Sequence, residues 1–497
     1  MEHFGETLRD LLLKDKGSAE LILSYYEKIG SHRSSNIYLP KALSIGDKEN
    51  IIKEYIESEN PNPNYIQLII TAKDQSNFKL STQTKLKAKR RLKEISTDLF
   101  RSGRCATLSL SYGVCFSETQ TEPVVVSNEN NQLIYAYSLP YIQQHLFPVA
   151  IFTNIRDLFH IIDSQSRIEL VRKLKDVGFE DVCCGLHPQN EYLCTRTFQL
   201  KNNLAQCQLA LYKDVLFRYF NINLETVVAT VFNTICSTSK IDNLHMQITP
   251  KEDYLASIRC LYPEIDSVLK KYKLYVEDGI IDFELLEMSS SPVGLEDIPS
   301  LVSKKYVYKD SEQLDKVMFY LYSDQSMLFL VDGCLGKGYR SLFDLISKED
   351  ISFDSLCEYQ KTKYEELISC GYLKIEDGVI RFSNPTKVRV LKDLYNNNVL
   401  SYWHLPPEIQ AEVDELHRSG AVKFESKLFT TDEVEYLKYY LNKSYCNGLD
   451  LRNKYAHGSH GLDKGAIEAD YNSLLLVAIM IIWKIVDDIM LRKEASK

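Results

Sequence analysis

An arginine, an amide and a histidine fall within six residues near the C-terminus, in the string Gly448-Leu449-Asp450-Leu451-Arg452-Asn453-Lys454-Tyr455-Ala456-His457-Gly458. Arginine offers planar, permanently charged donors to the oxygens of a phosphate on which negative charge is growing. Histidine moves a proton near neutral pH. Together they are the parts needed to cut a phosphodiester without a metal. Asn453 and His457 stand four residues apart, one turn along a single helical face. Arg452 points a quarter-turn or more aside, but its long arm can swing back to the same pocket. Asn453 is suited to orienting the histidine or the phosphate, and Lys454 to adding positive field for a bound substrate. His460 lies outside this spacing and reads as a loop residue.

The elements that must hold these groups are legible on both sides. Thr430-Thr431-Asp432-Glu433 has the spacing of a capping box, so a helix starts there, with Val434, Leu437, Tyr440 and Leu441 on one face. Asn447-Gly448 ends or bends it, and a second helix begins near Asp450, whose carboxylate can cap it. Leu451 and Tyr455 share an inward face, and Gly458 can close that helix in a left-handed conformation. A polar loop over 459–465 leads to a last helix over 467–492. Its run from 474 to 483, Leu-Leu-Leu-Val-Ala-Ile-Met-Ile-Ile-Trp, is apolar all round. Such a helix must be covered on most sides. Neighbouring helices can take one stripe, and a second protomer is the expected cover for the remainder. Ten residues fall short of the about 20 that a membrane-spanning helix needs, so no membrane segment is expected.

The pattern Arg452-Asn453-x-x-x-His457-Gly458, between a capped helix and an apolar one, resembles the Arg-x(4–6)-His signature of HEPN-domain ribonucleases. The resemblance covers the last seventh of the chain. It implies an all-α bundle and a homodimer formed through this C-terminal domain, with Arg452 and His457 of both subunits in one composite cleft. It also implies a reaction on RNA with no cofactor. The ribose 2′-hydroxyl attacks the adjacent phosphate and leaves a 2′,3′-cyclic phosphate and a 5′-hydroxyl. Arg452, His457 and Asn453 would be catalytic, Asn453 by positioning the histidine or the phosphate, with Lys454 binding substrate. Many such proteins are toxins or act in antiviral, abortive-infection defence, which would make the rest of this chain a sensor for an unidentified trigger. The alternative is a non-catalytic HEPN dimer that serves as a scaffold or nucleic-acid-binding regulator.

At 497 residues the chain exceeds one core. The expected class is α+β multidomain: a helical N-terminal region (1–100), a mixed α/β region (101–245), winged-helix-like modules (246–425) and the C-terminal helical domain (426–497). A net charge of −9 argues against a generally basic nucleic-acid-coating surface and leaves room for a local basic site. The N-terminus, Met1-Glu2-His3-Phe4-Gly5-Glu6, lacks the charged-then-apolar layout of a secretory signal. With twelve cysteines in no framework spacing, a cytoplasmic protein with reduced thiols is expected.

Other motifs are weaker. The run Lys85-Leu86-Lys87-Ala88-Lys89-Arg90-Arg91-Leu92-Lys93 puts its apolar residues on one helical face. It reads first as a solvated helix face, with contact to an RNA backbone as the functional alternative. Strands are expected over 105–112, 123–126 and 132–137, the last two joined across 127–131, and helices over 155–174 and 204–236. Cys183-Cys184-x-x-His187 with Cys194 matches no paired zinc-ligand spacing and reads as ordinary thiols. The loop at 331–338 fails the phosphate-binding spacing at both ends. Asp278-Gly279 and Asp377-Gly378 each lie between short β-prone runs after a helix. Both read as tight hairpins (274–283 and 373–382), the way a winged-helix unit ends. A weaker third copy spans 413–424. A spacer or protein-contact role is preferred to nucleic-acid contact for these modules, because Lys361 and Lys363 of the candidate recognition helix are offset by Glu365 and Glu366.

Overall fold

The computed structural model describes residues 4–15, 17–27, 37–101, 111–129, 132–177, 188, 190–248, 253–288, 292–456, 458, 461 and 463–495. His457, His460, Cys183, Cys184, His187, most of the strand expected over 105–112 and the tip of the 127–131 turn lie outside these residues. The chain is mixed α and β, dominated by helices, with three small sheets among the described residues. It forms two compact units, each gathered from separate segments: 1–140, 177–200 and 435–470 in the first, and 141–176, 201–434 and 471–497 in the second. The four consecutive segments expected from the sequence are therefore not the packing units, and 426–497 is divided between the two.

In the first unit, α1 (Gly5–Lys14), α2 (Ser18–Tyr26), α3 (Ile45–Glu57), α4 (Pro63–Thr71) and α5 (Thr82–Arg101) supply a helical core. The Asn-Pro cluster breaks the chain as expected: α3 ends before it, and Asn62 caps α4 by accepting a bond from Asn64 N at 3.0 Å. The sheet that follows is β1 (Ser111–Ser117), β2 (Val124–Glu129) and β3 (Gln132–Ser138), in the order β1-β3-β2. β2 and β3 form the expected antiparallel pair, whereas β1 runs parallel to β3.

The second unit takes up the chain at α6 (Leu139–Gln144) and α7 (Pro148–Asp157). The helix expected over 155–174 ends at Asp157. The apolar residues beyond it, such as Ile161, Ile162 and Leu170, are buried from a loop rather than a helix. His160 and Ser166 have positive φ angles there, and Asp163 accepts from Gln165 N and Arg167 N. The helical stretch at 204–236 is two helices, α8 (Arg196–Phe220) and α9 (Leu224–Thr238), broken at Asn221 (φ 53°) and restarted by the cap Asn223.

The first of the expected hairpins is not formed. Residues 274–278 complete the long helix α10 (Tyr254–Asp278), and α11 (Phe283–Met288) follows. Gly279, at φ 76°, is the left-handed stop of α10, with its N–H on Tyr275 O at 2.9 Å. Val268, Leu269 and Tyr272 are buried at helical spacing and carry the helix through to the glycine.

The 373–382 hairpin is formed. After β4 (Tyr306–Lys309), α12 (Glu312–Tyr322), α13 (Leu342–Ile346) and α14 (Glu358–Ser369), strands β5 (Leu373–Glu376) and β6 (Val379–Phe382) pair antiparallel. Asp377 and Gly378 are both left-handed, at φ 52° and 76°, which a two-residue primed turn requires. The third copy is instead a helix and a lone strand. After α15 (Pro385–Asn397) and β7 (Leu400–Ser401), residues 413–418 complete α16 (Pro407–Arg418), and β8 (Val422–Glu425) pairs with β4. The sheet β7-β4-β8 and the helices around it share one apolar core.

The chain ends in three helices, α17 (Thr431–Leu441), α18 (Leu451–Ala456) and α19 (Lys464–Ala495). Every residue from 474 to 483 is at most 7% exposed. The apolar run is thus covered within one chain, and the argument that a second protomer must cover it does not hold. Trp483 stacks on Phe152, with ring centroids 5.2 Å apart. The helix also carries buried charge at its far end. Asp488 accepts from Lys305 Nζ at 2.5 Å, Ser300 Oγ at 2.6 Å, Leu301 N at 2.7 Å and the Tyr272 hydroxyl. Among the described residues no helix is long and apolar enough to cross a membrane.

Candidate active site

The capping box before the site forms reciprocally: Glu433 N donates to Thr430 Oγ1 at 3.2 Å, and Thr430 N to Glu433 Oε2 at 2.9 Å. The other Glu433 oxygen accepts from Ile168 N at 2.9 Å and Lys484 Nζ at 3.0 Å. One carboxylate thus starts α17 and neutralises a fully buried ammonium. Burial alone would push the Lys484 pKa down, and the Glu433 charge opposes that.

Between α17 and α18 the chain is pinned to residues 190–192. Asn447 accepts from Tyr192 N at 3.0 Å and donates to Tyr192 O at 2.8 Å. Asn190 donates through Nδ2 to Ser444 O at 2.5 Å, and its own carbonyl accepts from Cys446 N at 2.8 Å. The Tyr192 ring meets Tyr439 and Tyr445 at 5.0 and 5.3 Å. Gly448 permits the tight return. A Cβ there would lie 2.9 Å from Tyr439 O, against whose carbonyl Leu449 N bonds at 2.9 Å.

α18 carries Arg452, Asn453 and Lys454 of the site string. Leu451 and Tyr455 are buried on one face, as their spacing requires, while Arg452, Asn453 and Lys454 are half-buried. Asp450 precedes the helix at φ 49°, and its Oδ1 accepts from Asn453 Nδ2 at 2.7 Å. Gly458 is left-handed, at φ 66°, as expected of a residue closing the helix. A single carboxylate at the start of α19 ties α18 down. Asp470 Oδ2 accepts from the Tyr455 hydroxyl at 2.6 Å and forms an ion pair with Lys454 Nζ. Burial, the hydrogen bond and the Asp470 charge together push the Tyr455 hydroxyl pKa well up, so this group remains a donor.

These bonds engage two of the expected site residues. Lys454, expected to give its charge to a substrate, gives it to Asp470. Asn453 spends its amide N–H on Asp450, leaving Oδ1 with no bond among the described residues. The part of Asp470, the bond it takes from the Tyr455 hydroxyl, and the pinning of Ser444–Asn447 to residues 190–192 were not anticipated. An aspartate and a tyrosine, four and three residues ahead of a long apolar run, were the available signal for Asp470, since a carboxylate near that edge is buried and needs donors. No family model, curated protein or solved structure matches this chain.

Proposed function

We propose that α18 carries the catalytic element of a metal-independent endoribonuclease. Arg452 neutralises charge on the phosphoryl oxygens, and His457 moves the proton. Asn453 orients the histidine through its remaining oxygen, or the phosphate through its second amide N–H. The observation that carries this reading is the local build of α18. Leu451 and Tyr455 turn inward, Asp470 holds Tyr455 and Lys454, and Arg452 stands outside that anchored face. A side chain on a helix fixed at both edges is placed more narrowly than one on a loop, as attack on a phosphate demands. The resemblance of the string to HEPN ribonucleases supplies the rest: a homodimer through the C-terminal helices, 2′,3′-cyclic phosphate products, and antiviral or abortive-infection defence with the preceding regions sensing a trigger. The dimer now rests on that resemblance alone.

The segment α12–α14 with the hairpin β5–β6 is read as a single winged-helix-like module. Lys361 and Lys363 of α14 pair with Glu358 at 3.3 Å and Glu366 at 2.7 Å. These pairs favour a spacer or protein-contact role for the helix that would otherwise read a groove. The same pairs are what favours the second reading, a non-catalytic scaffold. Growth on expression separates the two. The ribonuclease reading expects arrest with the wild type and none with His457→Ala, and equal growth of both would remove it.

A further inference from the structure

We propose that the outer face of α5 is a docking track for the phosphate backbone of single-stranded RNA. The choice of RNA among polyanions rests on the function proposed above; the track itself does not. The basic run on this helix divides into cations already used and cations left over. Lys87 pairs with Glu57 at 2.9 Å, and Arg91 pairs with Glu94 at 3.2 Å and also donates to Ser58 O at 3.1 Å. Lys85 donates to Ala72 O at 2.5 Å. Lys89, Arg90 and Lys93 are exposed, and their side chains have no hydrogen-bond or ion-pair partner among the described residues. At about 100° per residue the three fall within an arc of about 100°, with Leu86 and Thr97 between them. That arc lies opposite Ala88, Leu92 and Ile95, which pack in the helical core.

A surface that only needed solvating would not require its unpaired cations gathered in one stripe on a chain of net charge −9. Lys89 to Lys93 span about 6 Å of helix axis, and their extended arms reach further, so the three cations can meet successive phosphates of one strand. Leu86, nearly half exposed, offers a sequence-indifferent contact to a base. An anionic membrane fits less well. A helix that lies on a bilayer buries an apolar face in it, and the apolar face of α5 is already occupied by the core.

The test reads binding on full-length His457→Ala protein in EDTA, so a failure of the cleavage reading leaves it interpretable. A fluorescein-labelled oligouridine is titrated by anisotropy across a salt series. Each phosphate neutralised on a single strand contributes about 0.7 to the salt slope. Lys89→Ala/Arg90→Ala/Lys93→Ala should therefore lower the slope by about 2. Over a roughly fourfold fall in salt, wild-type cations should gain about 20-fold more affinity than the triple variant. Lys89→Arg/Lys93→Arg should retain the slope, and Lys361→Ala/Lys363→Ala on α14 should leave it unchanged. Single Lys89→Gln and Lys93→Gln variants, each expected to lose about 0.7, keep the test readable if the triple variant fails to fold. An unchanged slope in the Ala and Gln variants would overturn the proposal, as would an equal loss from the α14 variant. So would binding to vesicles of phosphatidylserine and phosphatidylcholine without binding to the oligonucleotide.

Discussion

Tyr455→Phe removes one oxygen from the anchor of α18 and leaves its ring and the Lys454–Asp470 pair in place. The lost bond runs from a buried phenol to a carboxylate at 2.6 Å. Hydrogen bonds to charged groups contribute about 1.5–3 kcal/mol. The equilibrium for local opening of α18 should rise by roughly ten- to hundredfold. Native-state hydrogen exchange reads this directly. Amides over 451–456 should exchange faster by that factor, while those over 434–441, in α17 behind the capping box, should keep their wild-type rates. Asp470→Asn, which weakens both ties, should accelerate the same amides further. RNA cleavage should fall in the same order, because the anchored face fixes where Arg452 can reach. Unchanged exchange over 451–456 would refute the claim that Asp470 positions the site. Equal acceleration in α17 and α18 would show that the cost is global.

Asp488→Asn should destabilise the second unit by about 3–5 kcal/mol, because it leaves the buried Lys305 ammonium without its counter-charge. Urea unfolding should show it, and Lys305→Met/Asp488→Asn should be less destabilised than the sum of the two single changes. Gly448→Ala should lower stability by about 1–3 kcal/mol through the clash of its Cβ with Tyr439 O, read as a lower thermal midpoint. Glu27 gives a pH dependence. Burial raises its carboxyl from the ordinary 4.5 to about 7, against bonds from Lys73 N and Gln75 Nε2 that favour the charged form. The folded chain therefore holds a proton that the unfolded chain has released. This contribution to stability is full below pH 4.5 and is lost as pH rises towards 7. Glu27→Gln should remove the decline, so that wild type and variant diverge over this window by on the order of 2–3 kcal/mol in urea titrations.

What was legible in the sequence was local. Thr430 and Glu433 lie three residues apart and form the box that their types require, and Leu451 and Tyr455 face inward as their spacing demands. The two Asp-Gly pairs show where local chemistry runs out. Both place glycine at positive φ, but a helix stop and a primed turn ask the same thing of that residue. Only the buried helical spacing of Val268, Leu269 and Tyr272 distinguishes Gly279 from Gly378. The apolar run in α19 was misread for a different reason. Part of its cover, Phe152 against Trp483, comes from more than 300 positions away in the chain, and no periodicity within the helix reports on that. The site's anchor was hidden in the same way. Asp470 seemed to belong to the last helix and proves to hold the one before it.

In the function proposed, Arg452 and His457 cut RNA by attack of its own 2′-hydroxyl. The most direct measurement is the end chemistry of RNA incubated with purified protein in EDTA. The wild type should yield fragments with 2′,3′-cyclic phosphate and 5′-hydroxyl ends, and Arg452→Ala or His457→Ala should leave the RNA intact. The same fragments from either variant, or 3′-hydroxyl ends from the wild type, would contradict it.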